Sequence, residues 1–316
     1  MPFEQLWQIY QSEGFLAAAQ ASPTTALDDF YLAILAFSEQ QFTEAADLAR
    51  RAAGQAPADL LFSQAATYLQ RVATEGPQNV YVSGDGFAAF VRAGGNIPLY
   101  EQTSAALRQV YQEYDTLSLL DVGVGDGLAL LPALTGNVRQ LHLLEPSAAM
   151  LEKTVAALKA RGIQAEATCA TLQEFATTRT GRWDVIQATY SLQSLSLSER
   201  PAILKWLREC GRRLLIAEFD APTFNEIAAP AQVTYILERY QRGLAEYSGP
   251  EGDLVAQGFL MPVMFGNFDR TAARTNYEQP LQRWVAELKT AGFQTVESRL
   301  LYPYWWAEAY LIDAQA

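Results

Sequence analysis

The sequence predicts an α/β fold: a largely parallel sheet with helices on both faces, preceded by a helical segment. Three observations carry this. From Leu117 to Glu218, short apolar runs alternate with helical patterns. The first run leads directly into a turn with glycines at alternate positions, Gly123, Gly125 and Gly127. Residues 1–75, by contrast, read as helices.

Within that N-terminal segment, Leu32, Leu35 and Ala36 precede Phe42-Thr43-Glu44-Ala45, then Ala49, Ala52 and Pro57. Small residues at helical spacing and a closing proline describe one hairpin of the tetratricopeptide type. A lone repeat cannot bury its own apolar face, so it must pack on something else; a helical cap on the main domain is the expectation. Gly76-Pro77, Gly84-Asp85-Gly86 and Gly94-Gly95 mark turns and a hinge. Pro98 then suits the first turn of a helix running to about Tyr114.

The predicted strands are Leu117–Val122, Arg139–Leu144, Ile163–Cys169, Trp183–Ala188 and Arg213–Glu218. Helical patterns separate them at Leu128–Leu134, Ser147–Arg161, Thr171–Thr177 and Ser198–Glu209. Such alternation implies right-handed crossovers and a parallel sheet. The rhythm breaks over Asp220–Thr275, read as an insertion over the strand ends with one helix near Ala231–Tyr247. A helix Tyr277–Ala291, a strand near Gln294–Leu300 and a final strand Trp305–Asp313 then complete the core.

Composition narrows the partners. The chain has 316 residues, half of them hydrophobic, with a formal net charge of −12. Lys and Arg are scattered, so no basic patch exists to hold a phosphate polymer, and nucleic acid is disfavoured. No stretch is long and apolar enough to span a bilayer, and Met1-Pro2-Phe3-Glu4 lacks a signal-peptide pattern. Cys169 and Cys210 lack metal-like spacing, so no metal site is expected and a reducing cytoplasm fits. The expected partner is a small molecule, neutral or cationic; oligomeric state stays open.

The most informative stretch is Asp121-Val122-Gly123-Val124-Gly125-Asp126-Gly127, a strand end, a tight loop and a helix start. Glycine serves where the backbone turns sharply and where a ligand lies against it. The second strand ends at Glu145, whose carboxylate can accept hydrogen bonds from both hydroxyls of a ribose. A dinucleotide fold wants G-x-G-x-x-G, yet Gly127 arrives one residue early. Asp121 suits a cofactor with an ammonium and a sulfonium better than one with two phosphates.

These residues resemble the first motif of class I, Rossmann-like methyltransferases that use S-adenosylmethionine (SAM). Glu145-Pro146-Ser147 with Met150 resembles their second motif, and Cys169–Phe175 their adenine-binding segment. There the usual Asp is missing, with Ala170 or Thr171 in its place; Thr171 or Gln173 can substitute. Trp183–Leu195 is similar to the fourth motif, with Gln193 where His is common. The resemblance implies a seven-stranded sheet with the last strand antiparallel and SAM as cofactor. Its binding set would be Asp121, Gly123, Gly125, Gly127, Glu145, Pro146, Met150, Ala170, Thr171, Thr189 and, from the preceding helix, Tyr100. Residues 1–75 would form a cap, 76–116 a hinge and helix, and 117–316 the catalytic domain with insertion 220–275. The helix Ile97–Leu107 and the two caps give a weaker resemblance to bacterial GRAS-type methyltransferases.

For chemistry, the candidates are Tyr190, after the fourth strand, and Glu218, ending the fifth. Tyr190 can face the methyl group or merely pack the crevice wall. Glu218 can orient or deprotonate a substrate, or serve as a cap or ion pair. The single histidine, His142, lies inside the second strand, so a core or edge role is expected. Tyr235 and Arg239 share a helix face; Met261, Met264 and Phe265 can line a pocket or pack the cap; Tyr302, Tyr304, Trp305 and Trp306 read as sheet packing. The leading expectation is methyl transfer to a small molecule, with the caps shielding the pocket. The alternative is a SAM-binding interaction protein that docks a partner through its N-terminal helices.

Overall fold

The computed structural model describes residues 3–21, 24–76, 84–179, 181–247 and 250–316. The chain divides into two units, Met1–Asn96 with Phe224–Ala273 and Ile97–Thr223 with Arg274–Ala316.

The first unit is helical. Its N-terminal part holds Phe3–Glu13, Phe15–Gln20, Ala26–Ser38, Phe42–Gln55, Leu60–Glu75 and Gly84–Val91. Thr25 and Asp28 form a reciprocal capping box that starts the third of these, satisfying two otherwise orphaned backbone donors. The insertion adds Pro230–Ala245, Pro250–Val255, a π-turn Ala256–Leu260 and Met261–Gly266. The expectation of one helix in the insertion thus gives way to a second helical run, Pro250–Gly266, continuous through the π-turn.

The expected hairpin Ala26–Gln55 finds its partner within this unit. Phe265 is fully buried, with its ring 5.1 Å from Phe37 and 5.4 Å from Tyr68. Met261 and Phe265 therefore pack the helical unit. The expected hinge is partly built into the same packing, and its residues 77–83 lie outside the described ones. Gly86 sits in a helix, where a Cβ would come within 2.8 Å of the Gly258 backbone; only glycine permits that approach. Phe90 stacks on Phe259 at 4.2 Å, and the Gly95 N–H donates to Glu246.

The second unit carries the sheet: β1 (Leu117–Val122), β2 (Val138–Leu144), β3 (Glu166–Thr168), β4 (Trp183–Thr189), β5 (Gly211–Phe219), β6 (Thr295–Pro303) and β7 (Glu308–Gln315). Their order is β3-β2-β1-β4-β5-β7-β6. The first five strands pair in parallel, and β7 runs antiparallel between β5 and β6. Side-chain alternation divides the core between two faces. Leu120, Ile186, Leu214 and Ile216 pack toward Trp284 and Leu207, whereas Leu119, Val185 and Leu215 pack toward Leu107 and Tyr111.

Several predicted boundaries shift, the final strand among them, which begins at Glu308 rather than Trp305. The third strand is three residues, not seven. The helix after the insertion is Leu281–Thr290, because Pro280 disfavours helix at Gln279 and Asp220 caps Leu281 N–H at 2.7 Å. Residues 277–280 instead lie beside the end of β5 through an Asp220–Gln279 bridge. No helix among the described residues is long and apolar enough to cross a membrane.

Candidate active site

Strand order reverses between β1 and β4, and in an open α/β sheet the crevice at the carboxyl ends of such strands is where ligands bind. Every sequence-predicted site residue lies in this unit.

The loop after β1 depends on its glycines. Gly123, Gly125 and Gly127 have φ of 70°, 56° and 80°, in the left-handed region. A Cβ on Gly123 would lie 2.5 Å from the Ser191 Cβ, whereas one on Gly125 would meet nothing. The first glycine thus serves packing, and the second leaves an open cradle. Gly123 N–H donates to Leu144 O at 2.7 Å, Thr154 donates to Gly125 O at 2.8 Å, and Ser191 donates to Val122 O at 2.8 Å. Three elements therefore fix one loop.

Glu145, buried at the end of β2, accepts Gly125 N–H through Oε2 and Ser147 N–H through Oε1, each at 2.9 Å. A carboxylate has room for about four hydrogen bonds, so capacity for ribose hydroxyls remains. Pro146 is exposed, and Met150 lies in the first turn of the next helix, its N–H donating to the Ser147 cap.

Asp121 is buried and accepts from Gln187 Nε2 at 2.7 Å through Oδ2, while Oδ1 has no hydrogen-bond partner among the described residues. Burial, with the neighbouring Glu145, pushes its carboxyl up to about 7. An orphaned buried carboxylate oxygen beside an open glycine cradle fits a cofactor that brings a positive charge. When bound, SAM supplies an electrophilic methyl on a sulfonium; Asp121, the glycine loop and Glu145 can hold it.

The adenine side is less well provided. Thr171 caps the helix Leu172–Thr178, accepting from Glu174 N–H and donating to its carboxylate. Gln173 donates to Glu199 at 3.3 Å. Both side chains expected to replace the missing Asp are engaged locally, and so is the Thr171 backbone, whose N–H donates to Glu174 Oε2 at 2.9 Å and whose carbonyl accepts from Phe175 N–H at 3.0 Å. His142 lies 2.9 Å from Thr168 Oγ1 and edge-on to Phe175, the expected core role.

Tyr190, at φ 51°, is a rare non-glycine residue in the left-handed region, a strain typical of functional positions. Thr103 uses its proton on Leu99 O, so Tyr190 donates its own to Thr103 at 2.9 Å. Burial keeps the phenol well above its ordinary range. Its ring stacks on Phe219 and meets Tyr100 edge-on at 5.9 Å; Phe219 in turn stacks on Tyr304. Thr189 Oγ1 is buried without a partner among the described residues.

Glu218 faces the opposite side of β5 from Phe219. It accepts Gln193 N–H at 3.1 Å, and burial together with Glu278 pushes it up to about 8. Glu278, held by Trp306 Nε1 at 3.1 Å, is itself pushed up by burial to about 7. Arg200, fully buried, donates to Leu195 O and Tyr277 O and lies over Trp284. Tyr111, Gln187, Arg200 and Glu278 are not among the site residues expected from the sequence. For Gln187 a signal existed: a polar residue within the apolar run Val185–Ala188.

Residues 119–214 match the profile of a family described as a methyltransferase domain. No curated protein matches the sequence. Among solved structures, the chain is similar to magnesium protoporphyrin IX methyltransferase (ChlM) from Synechocystis PCC 6803 with bound SAH, at 14% identity and TM-score 0.47, over 79% of this chain and 93% of that one. It is also similar to the Burkholderia thailandensis 1,6-didemethyltoxoflavin-N1-methyltransferase, at 14% identity and TM-score 0.46, over 69% and 77%. The matched stretch, residues 119–214, holds the strands from Leu119 in β1 through β4, the glycine loop and Glu145.

Proposed function

We propose that this protein transfers the methyl group of SAM to a small-molecule acceptor, chiefly by alignment and exclusion of water. The observation that carries this is the closeness of the loop after β4 to the cofactor loop: Ser191 packs where a Gly123 side chain would stand. Tyr190, one residue earlier, is thereby held at the β1–β4 switch point.

Asp121 and the three glycines would hold the amino-acid end of SAM, with Tyr100 and Thr189 beside it. Glu145, Pro146 and Met150 would take the ribose side, and Ala170 and Thr171 the adenine. Tyr190 is a neutral phenol whose proton is committed to Thr103, so its role is positioning rather than proton abstraction. Glu218 would act through Gln193, fixing the loop that carries Tyr190. Displacement at a sulfonium gains from such alignment in a dry pocket. The net charge of −12 supports a small acceptor over nucleic acid.

The test is release of the demethylated product across a panel of small amines, phenols and thiols, with nucleic acid as a comparison. Tyr190→Phe should keep SAM affinity and lower turnover roughly tenfold or more. Full turnover in that variant, or methylation of nucleic acid alone, would overturn the reading.

A further inference from the structure

Asp121 and Gln187 stand opposite each other in the register of β1 and β4, and both are buried. Tyr111, at the end of the helix Asn96–Tyr111 and fully buried, donates its hydroxyl proton to Gln187 Oε1. That bond fixes the amide: its oxygen must face the phenol, and its nitrogen must face Asp121. The nitrogen fills one carboxylate oxygen of Asp121, and the other is left without a partner among the described residues.

We infer that Gln187 and Tyr111 are positioning residues: they aim the free oxygen of Asp121 at the ammonium of the cofactor and make cofactor binding release a proton from Asp121. The titratable groups facing Asp121 are Glu145, from the end of β2, and Tyr111, from the helix; β4 contributes the uncharged Gln187. No cation is among them. A buried carboxylate with one unfilled oxygen and an acidic neighbour favours its neutral form, and burial accordingly pushes Asp121 up to about 7. An ammonium at Oδ1 reverses the balance. The Asp121 O–H bond breaks, the proton passes to the buffer, and the carboxylate stays paired with the cation.

Calorimetric titration with SAM from pH 6 to 8, in two buffers of different ionisation enthalpy, tests this. About half a proton should leave Asp121 per SAM bound at pH 7, and affinity taken relative to Asp121→Asn should rise roughly tenfold from pH 6 to 8. Free SAM carries an α-amino group that itself titrates near about 8, so Asp121→Asn provides the reference profile and should lack the Asp121 component. Gln187→Met should move the midpoint upward by about one pH unit, and Tyr111→Phe should move it less in the same direction. Identical profiles and proton release for wild type and Asp121→Asn would overturn the proposal. So would equal losses of affinity at every pH, with the wild-type midpoint, in both Gln187→Met and Tyr111→Phe.

Discussion

Glu145 accepts the backbone N–H of Gly125 at 2.9 Å, which ties the carboxylate ending β2 to the glycine loop ending β1. The residue expected to meet the ribose thus also shapes the loop. Glu145→Ala should weaken SAM binding by roughly 1–3 kcal/mol, the range for losing charge-assisted hydrogen bonds. Calorimetry reads this directly, and an unchanged affinity would contradict the role.

The three loop glycines should not behave alike. Gly123→Ala drives a Cβ into Ser191 at 2.5 Å as well as straining a φ of 70°, so it should lower the melting temperature and binding together. Gly125→Ala meets no atom and carries only backbone strain of about 1–2 kcal/mol. It should fold and still lose SAM affinity, because its methyl enters the cradle. Equal melting temperatures for the two variants would contradict this division of labour.

Much of this was legible because local patterns specify it. The run Leu119–Gly127 marks strand, turn and helix start with no tertiary information, and Glu145 follows from the next apolar run. What could not be read depends on register and distant packing. Gln187 stands out as polar, yet only the β1–β4 register brings it opposite Asp121. Tyr277–Pro280 has a helical pattern, but tertiary pairing with Asp220 and Gln193 holds it extended. The helicity of Pro250–Gly266 is masked by its glycines and prolines, and Gly258 is explained only by its contact with Gly86.

Glu218 makes stability depend on pH. Its folded-state value, about 8, exceeds the ordinary carboxylate value. Below the ordinary value both states hold the proton. Between that value and about 8 the unfolded chain releases a proton that the folded chain retains, so this group's contribution falls as pH rises. Glu218→Gln removes this dependence while still accepting from Gln193. Its stability relative to wild type should therefore increase by roughly 1–3 kcal/mol from pH 5 to 8 in urea unfolding. Parallel curves would contradict the assignment.

Arg200 braces the loop after β4 against Tyr277 while paired with Glu287 at 3.5 Å. Arg200→Met would leave two carbonyls without their charged donor. A loss of roughly 2–5 kcal/mol in stability is expected, with SAM affinity largely retained in the folded fraction. A melting temperature equal to wild type would show that the guanidinium is dispensable.

The most direct test of the cofactor site is a crystal structure with the demethylated product of SAM. Its ammonium should lie within hydrogen-bond distance of Asp121 Oδ1, its backbone-facing edge on Gly125, and its ribose hydroxyls on Glu145. A ligand bound away from Asp121 and Glu145, or a ribose that leaves Glu145 bonded only to Gly125 and Ser147, would contradict that placement.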